Sequence, residues 1–136
     1  MKAFVVLVIS LFLGGIAVAE EGRISVELNK LETEAENCQS YLVLQNGTAN
    51  AFDRLVLDLV MFDVDGIIAR RLAVDIAPLD ASRVAVKVFA VQGFACESIS
   101  RMLVNGVLGC EAGGAARDDC RQLLAVSSRS DVDLVN

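Results

Sequence analysis

The stretch LVMFDVDGIIARR, residues 59–71, places an apolar run on each side of an Asp-Gly pair. The first run spans residues 55–62 and is interrupted only by Asp58, which is typical of a strand at the centre of a sheet. Gly tolerates the positive φ that a tight turn needs, so Asp-Gly between two apolar runs is a strong hairpin signal. The stretch therefore predicts two antiparallel strands, the second formed by IIARRLAV at residues 67–74.

Four further segments are predicted as strands, and the first and third of them alternate apolar and polar residues with period two, as a half-buried strand does. These segments are residues 23–29, 38–46, 83–89 and 99–104. We expect the acidic run ETEAEN to end the first strand and Asn46-Gly47 to end the second, with residues 48–54 as a loop. Asn105-Gly106 is expected to form a turn before a short continuation, VLGC.

A short helix is expected in one place, at residues 118–125, where Asp118 would cap it and Leu123 and Leu124 would reach the core. Residues 124–130, LAVSSRS, fit a last strand equally well. Strands that recur about every ten to fifteen residues, with turns between them, predict an all-β fold. The expected architecture is an antiparallel β-sandwich of about seven strands.

The four cysteines, Cys38, Cys96, Cys110 and Cys120, predict two disulfides, because an even number in an exported chain is expected to oxidise. Three pairings are possible, and Cys38–Cys96 with Cys110–Cys120 is preferred. The second pair brackets the Gly-rich loop EAGGAARDD, and the first resembles the inter-sheet bridge of an immunoglobulin-like fold. A zinc site built from all four is disfavoured, since no two are spaced as CxxC.

The N-terminus, MKAFVVLVISLFLGGIAVAE, has the three regions of a secretory signal peptide. Lys2 precedes an apolar run at residues 3–13, and a small-residue triplet ends at Ala19, after which cleavage is expected. Cleavage would leave one domain, residues 20–136, in the periplasm, with no stable membrane insertion. An uncleaved anchor is the alternative, although the apolar segment is at the short limit of a bilayer span.

The composition excludes several functional classes. The formal net charge is −6, and without Lys2 eleven basic side chains remain against eighteen acidic ones. An acidic chain without a basic stripe argues against nucleic acid as a partner. The sequence has no His, which excludes Ser-His-Asp and Cys-His catalytic arrangements and His-rich zinc sites. We expect no cofactor and no resident metal.

The segment DVDG, residues 63–66, follows an apolar strand and resembles the nucleophile motif of the haloacid-dehalogenase superfamily. The resemblance implies a magnesium-dependent phosphatase in which Asp63 attacks phosphorus and Asp65 handles the leaving-group proton. The remaining parts of such a site would be Lys87, Asp118 and Asp119. That family needs parallel strands with helical crossovers, whereas the intervening sequence predicts short strands and turns, so the hairpin is favoured.

Longer segments carry a second resemblance: SVELNKLE at residues 25–32, CQSYLVLQNGT at 38–48, LDLVMFDVDGIIARRLAV at 57–74, ARDDC at 116–120 and VSSR at 126–129. Through them the chain resembles a group of small exported proteobacterial proteins of unknown function, often labelled "Tat pathway signal sequence domain protein". The resemblance implies a periplasmic location and supplies no activity. The leader here lacks twin arginines, so that label describes its export route poorly.

These observations predict a non-enzymatic periplasmic binding module whose partner is an unknown envelope protein or assembly. An unpaired sheet edge would offer strand addition as one mode of recognition. Two alternatives remain: a phosphatase that uses Asp63 and Asp65, and a small-ligand carrier that uses the apolar interior of the sandwich.

Overall fold

The computed structural model describes residues 21–136 of the chain. The predicted signal peptide, residues 1–19, and its cleavage site after Ala19 therefore lie outside the described residues. The described part consists mainly of strands arranged in two sheets, with one four-residue helix. The prediction of an all-β sandwich is confirmed.

Nine strands lie within residues 21–136, two more than predicted. They are β1 (Ile24–Glu34), β2 (Asn37–Asn46), β3 (Phe52–Phe62), β4 (Ile68–Asp75), β5 (Val84–Val91), β6 (Arg101–Ala112), β7 (Ala115–Ala116), β8 (Leu124–Ser128) and β9 (Asp133–Val135). A 3₁₀ turn, Cys96–Ser98, precedes β6, and helix α1, Cys120–Leu123, precedes β8.

The first sheet has the strand order β5-β2-β1-β8, and the second has the order β4-β3-β6-β7, with β9 also paired to β6. Most neighbours are antiparallel, as predicted, but β8 is parallel to β1 and β9 is parallel to β6. The purely antiparallel expectation is therefore wrong for these two pairs. After β6 and α1 the chain has returned to the end of the sandwich where β1 starts, so β8 runs beside β1 in the same direction.

The core forms where the inner faces of the two sheets meet. Buried apolar side chains alternate along β2 and the first half of β1, and every second residue of β3 from Leu55 to Met61 joins the same core. The largest fully buried ones are Phe52, Ile24, Leu28, Leu42, Leu44, Leu55, Leu57, Leu59, Met61, Leu79, Met102 and Leu124. Removal of this apolar surface from water is the main force that holds the sheets together.

The hairpin predicted at Asp-Gly is present. β3 pairs antiparallel with β4, and Gly66 has a φ of +78° in the connecting turn. β3 lies between β4 and β6 and is buried over most of its length, as expected for a central strand. It begins at Phe52, earlier than predicted, because the backbone of Phe52 pairs with Ala112 of β6 and with Leu79.

Strand β1 continues through the first half of the acidic run that was expected to end it. Its last residue, Glu34, pairs with Asn37 of β2, and the turn between them contains Ala35 with a φ of +54°. The acidic side chains lie on a hairpin whose end is exposed. Charged residues fit there because they remain hydrated while the backbone pairs.

The prediction of a turn at Asn105-Gly106 is wrong, because both residues lie inside the continuous strand β6. The pairing of β6 with β3 shifts register at Asn105 itself, between Asp58 and Leu59 of β3, and also at Leu108, between Val56 and Leu57. These irregularities accommodate residues that a regular ladder would not. The Asn105 side chain is also held, because its amide donates a hydrogen bond to the carboxylate of Asp58.

The C-terminal region combines the two structures that the sequence left open. Helix α1 has four residues and is followed directly by strand β8. The predicted cap is one residue away: Asp119, not Asp118, occupies the N-cap position, and its side chain makes no capping hydrogen bond. The Asp119 carboxylate instead accepts hydrogen bonds from Arg117.

Both predicted disulfides, Cys38–Cys96 and Cys110–Cys120, are present. Cys96 lies in the 3₁₀ turn rather than in a strand, so the first bridge ties β2 of the first sheet to the connection that leads into the second. The second bridge ties β6 to the start of α1. Two disulfides fit an oxidising location outside the cytoplasm.

Candidate functional site

The aspartates of the phosphatase alternative lie in the turn between β3 and β4. The Asp63 carboxylate accepts hydrogen bonds from the backbone N–H groups of Asp65 and Ile67, each at 2.9 Å. The Asp63 N–H group donates to the Ile67 carbonyl at 2.8 Å. In this structure the carboxylate of Asp63 therefore stabilises the turn, as Asp side chains often do.

The other residues of that alternative are not brought to this turn. Asp63 follows the last residue of β3, whereas Asp118 follows β7, which pairs with the part of β6 beside the first residues of β3. The two positions are thus at opposite ends of an eleven-residue strand, about 30 Å apart. Lys87 lies on β5 in the other sheet. Within residues 21–136, no group of three acidic or cysteine side chains is placed to hold a metal ion.

The outer face of the second sheet carries a closed polar network. Asp58, which is 2% exposed, receives hydrogen bonds from Arg71 Nε at 2.7 Å and Arg71 Nη2 at 2.8 Å. Asn105 Nδ2 donates a third at 2.8 Å. These hydrogen bonds, chiefly those from Arg71, lower the pKa of Asp58 to about 2. The network therefore satisfies both oxygens of the buried carboxylate.

One cleft lies at the surface, beside the 3₁₀ turn and the connection between β8 and β9. It has a volume of about 540 Å³ and is lined in part by Lys30, Glu97, Arg129 and Asp131. The small-ligand carrier alternative expected an apolar cavity inside the sandwich, whereas this cleft is open and largely polar. In the wall of this cleft, Lys30 is ion-paired with Glu32, and Arg129 is ion-paired with Glu27.

The first sheet ends in a long apolar edge at β5. All eight residues of β5 pair in unbroken register with β2. The side chains of Val84, Val86 and Val88 face outward and are 56%, 63% and 44% exposed. On the neighbouring strand, Val86 is opposite Val43 and Val88 is opposite Tyr41, and both of these are half-buried. The result is an exposed apolar surface, which we call the β5 face.

Within residues 21–136, the backbone of β5 also has hydrogen-bonding groups at an unpaired sheet edge. At the start of the strand, Asn46 of β2 donates its N–H to the carbonyl of Arg83, and Ser82 donates its N–H to the carbonyl of Asn46. Because backbone groups alternate sides along a strand, the N–H and C=O groups of Val84, Val86 and Val88 point away from β2, toward the open edge. These groups and the β5 face together make an edge ready for strand addition.

Sequence reasoning found strand β5 but not this surface. Period-two alternation is symmetric, so it does not reveal which of the two rows, the valines or Ala85 with Lys87, faces the core. Sequence reasoning also assigned Asn46 only to a turn and did not predict its structural role. It is fully buried, and its amide donates to the carbonyls of Asn50, Leu79 and Asp80, which fixes the connection leading into β5.

Comparison of the chain with known proteins supports its fold but identifies no family. No family model matches the chain, and no curated protein matches it. Among solved structures, it is similar to IrmA from Escherichia coli, with a TM-score of 0.56 and 14% sequence identity over 76% of this chain and 90% of that chain. At this identity the similarity shows the fold alone. None of the helices in the described part of the chain is long and apolar enough to cross a membrane.

Proposed function

We propose that the protein is a periplasmic binding module without catalytic activity, and that it binds its partner by accepting an extended strand along the edge of β5. The leader would be removed after Ala19. The observation that carries the proposal is the edge itself: eight residues in regular register, with outward N–H groups and three exposed valines. Main-chain hydrogen bonds would supply affinity, and the β5 face would select the side chains of the added strand.

The other sheet edges are less suited to strand addition. β8 has five residues, β9 three and β7 two, so each offers only a short ladder. β4 has eight residues, but Arg70 and Arg71 stand on it, and charged side chains discourage the approach of another strand. β5 combines length, regularity and an apolar outer row.

The absence of His in the sequence and the role of Asp63 in its turn support a non-catalytic protein. The two disulfides support a location in an oxidising compartment, and the resemblance to exported proteobacterial proteins supports the periplasm. An envelope partner follows from that location.

The experiment uses proline as a selective block. Val86→Pro removes an N–H group that points to solvent, so the pairing of β5 with β2 is retained. An added strand would lose one hydrogen bond and would clash with the proline ring. The matched control is Ala73→Pro on β4. Ile76 donates its N–H to Leu55 of β3, so by alternation the N–H of Ala73 also points to an open edge.

Wild type and both variants serve as baits in an envelope extract of the source organism, with captured proteins identified by mass spectrometry. We expect wild type and Ala73→Pro to retain the same partner and Val86→Pro to lose it. Circular dichroism and thiol titration confirm that all three baits are folded and oxidised. Equal capture by Val86→Pro and wild type would contradict strand addition at β5.

A further inference from the structure

We propose that the strand accepted by β5 carries an acidic side chain opposite Lys87, flanked by apolar residues opposite Val86 and Val88. This inference rests on the proposed strand addition at β5 and specifies the chemistry of the partner. Lys87 is paired with Leu42, which is 1% exposed and belongs to the core. Residues opposite one another in an antiparallel pair share a face, so Lys87 is on the inner side of the sheet.

In the part of the chain that the structure describes, Lys87 has no charged partner. Within residues 21–136 it makes no ion pair, and no side-chain hydrogen bond involves it, whereas the neighbouring Arg83 is paired with Asp80 at 3.1 Å. In the free protein the open edge leaves the half-buried residue Lys87 accessible to water. An added strand would cover that path, and a desolvated ammonium group is costly unless an acid compensates it.

The backbone geometry fixes where the acid would stand. Val86 and Val88 direct their N–H and C=O groups to the open edge, so Lys87 directs its own toward β2. In an added antiparallel strand, the residue opposite Lys87 therefore occupies a non-hydrogen-bonded position, where opposing side chains approach most closely. The residues on either side of it lie over the exposed valines. The recognised segment thus alternates apolar, acidic and apolar residues.

A second copy of this chain does not supply that acid through its own β5. Pairing two β5 strands about Lys87 would set two lysines against each other, and pairing them about Val86 would set Lys87 against Ala85. Strand β5, VAVKVFAV, contains no acidic residue in any register. The chain also has a net charge of −6, which opposes the association of two copies. The charge of Lys87 is complementary to a different, acidic strand.

The test is a charge-exchange cycle with defined peptides. Two nine-residue peptides alternate Val and Thr and differ only at the central Thr position, which is Glu in one and Lys in the other; N-methylation of one edge prevents their self-association. Each is titrated against wild type and Lys87→Glu by calorimetry. We expect wild type to bind the Glu peptide about tenfold more tightly than the Lys peptide, and Lys87→Glu to reverse that order. The cycle removes the effect of net charge, because each peptide is measured on both proteins.

The outcomes separate the inference from the proposed function. If peptides bind wild type but not Val86→Pro, and the Glu and Lys peptides bind equally, strand addition stands and the role of Lys87 is wrong. If no peptide binds, or Val86→Pro binds as wild type does, strand addition itself fails. Lys87→Ala gives an independent check by sedimentation: we expect a monomer with weakened Glu-peptide binding. A dimeric Lys87→Ala with unchanged peptide preference would identify Lys87 as a guard against self-pairing and overturn the inference.

Discussion

Strands β4 and β5 have the same length and each ends its sheet, yet their surfaces are completed in different ways. On β4, Arg71 reaches back over the sheet to the buried carboxylate of Asp58, so the polar groups there are satisfied within the chain. On β5, the outward row consists of valines that contact solvent. The β4 edge therefore contributes mainly to the stability of the fold. The outward row of β5 contributes little to stability, and in our proposal this edge binds the partner.

The comparison makes opposite predictions for the two edges. Substitutions around Asp58 should change the free energy of unfolding and leave partner binding intact. Substitutions on the β5 face should change partner binding and leave the free energy of unfolding nearly unchanged.

Asp58→Ala should lower the free energy of unfolding by about 2 kcal/mol, because it removes the charged acceptor of three hydrogen bonds while the exposed Arg71 remains hydrated. Urea unfolding measures the change. Asp65→Ala is the matched control, since Asp65 is exposed at the hairpin tip, and its effect should stay within about 0.5 kcal/mol. Similar decreases in the free energy of unfolding for both variants would contradict a specific stabilising role for the Asp58 network.

The same network predicts an acid-sensitive window. The pKa of Asp58 falls from its usual 3.8 to about 2, so its contribution to stability is fully present above the unfolded-state pKa. It should be lost as the pH falls from about 4 toward 2. Urea unfolding of wild type and Asp58→Asn across this range measures the difference. The variant should lose less stability than wild type there, and parallel curves would contradict the account.

Asp63→Ala should lower the free energy of unfolding by about 1 kcal/mol, because two backbone N–H groups of the turn lose their acceptor. Partner binding at β5 should not change, since the turn belongs to the other sheet. Thermal unfolding and the capture experiment together measure these two effects. Loss of the partner in Asp63→Ala would move the binding site from β5 to the hairpin.

The phosphatase alternative has its own test at the same residue. Oxidised protein is incubated with magnesium and a generic phosphate ester, beside Asp63→Asn. We expect no turnover that depends on Asp63, because its carboxylate serves the turn and Asp118 is at the far end of the sheet. Turnover by wild type that disappears in Asp63→Asn would establish an enzyme.

Val84→Thr and Val88→Thr on the β5 face should each change the free energy of unfolding by less than about 0.5 kcal/mol, because both side chains are largely exposed. Together they should weaken partner binding about tenfold, since they remove apolar contact with the added strand. Urea unfolding and a titration with the captured partner measure the two quantities. A large loss of stability would mean that the β5 face is already packed against part of the protein.

The sequence predicted those features that depend on local chemistry. Asp-Gly between apolar runs predicted the β3–β4 hairpin, and the even cysteine count with the bracketed Gly-rich loop led to both disulfides. The prediction of a turn at Asn105-Gly106 failed because a tertiary contact with Asp58 holds this turn-favouring dipeptide in a strand. The parallel placement of β8 and β9 also depends on distant strands, which short patterns do not encode.

The proposed binding edge was the least predictable feature, for a physical reason. Alternation fixes that Val84, Val86 and Val88 share one face, but burial of that face depends on where the second sheet lies. An apolar row would ordinarily face the core. Here Lys87, on the opposite row, is turned inward at an edge, so only the three-dimensional arrangement reveals which row is exposed.

Residue-resolved hydrogen exchange of the β5 amides tests the central claim most directly. In the free protein, the amides of Ala85, Lys87 and Phe89 should exchange slowly, because they are bonded to β2, while those of Val84, Val86 and Val88 should exchange fast. Saturation with the captured partner or the Glu peptide should slow the valine amides and remove the alternation. Valine amides that remain fast in the saturated complex would contradict strand addition, and so would valine amides already slow in the free monomer.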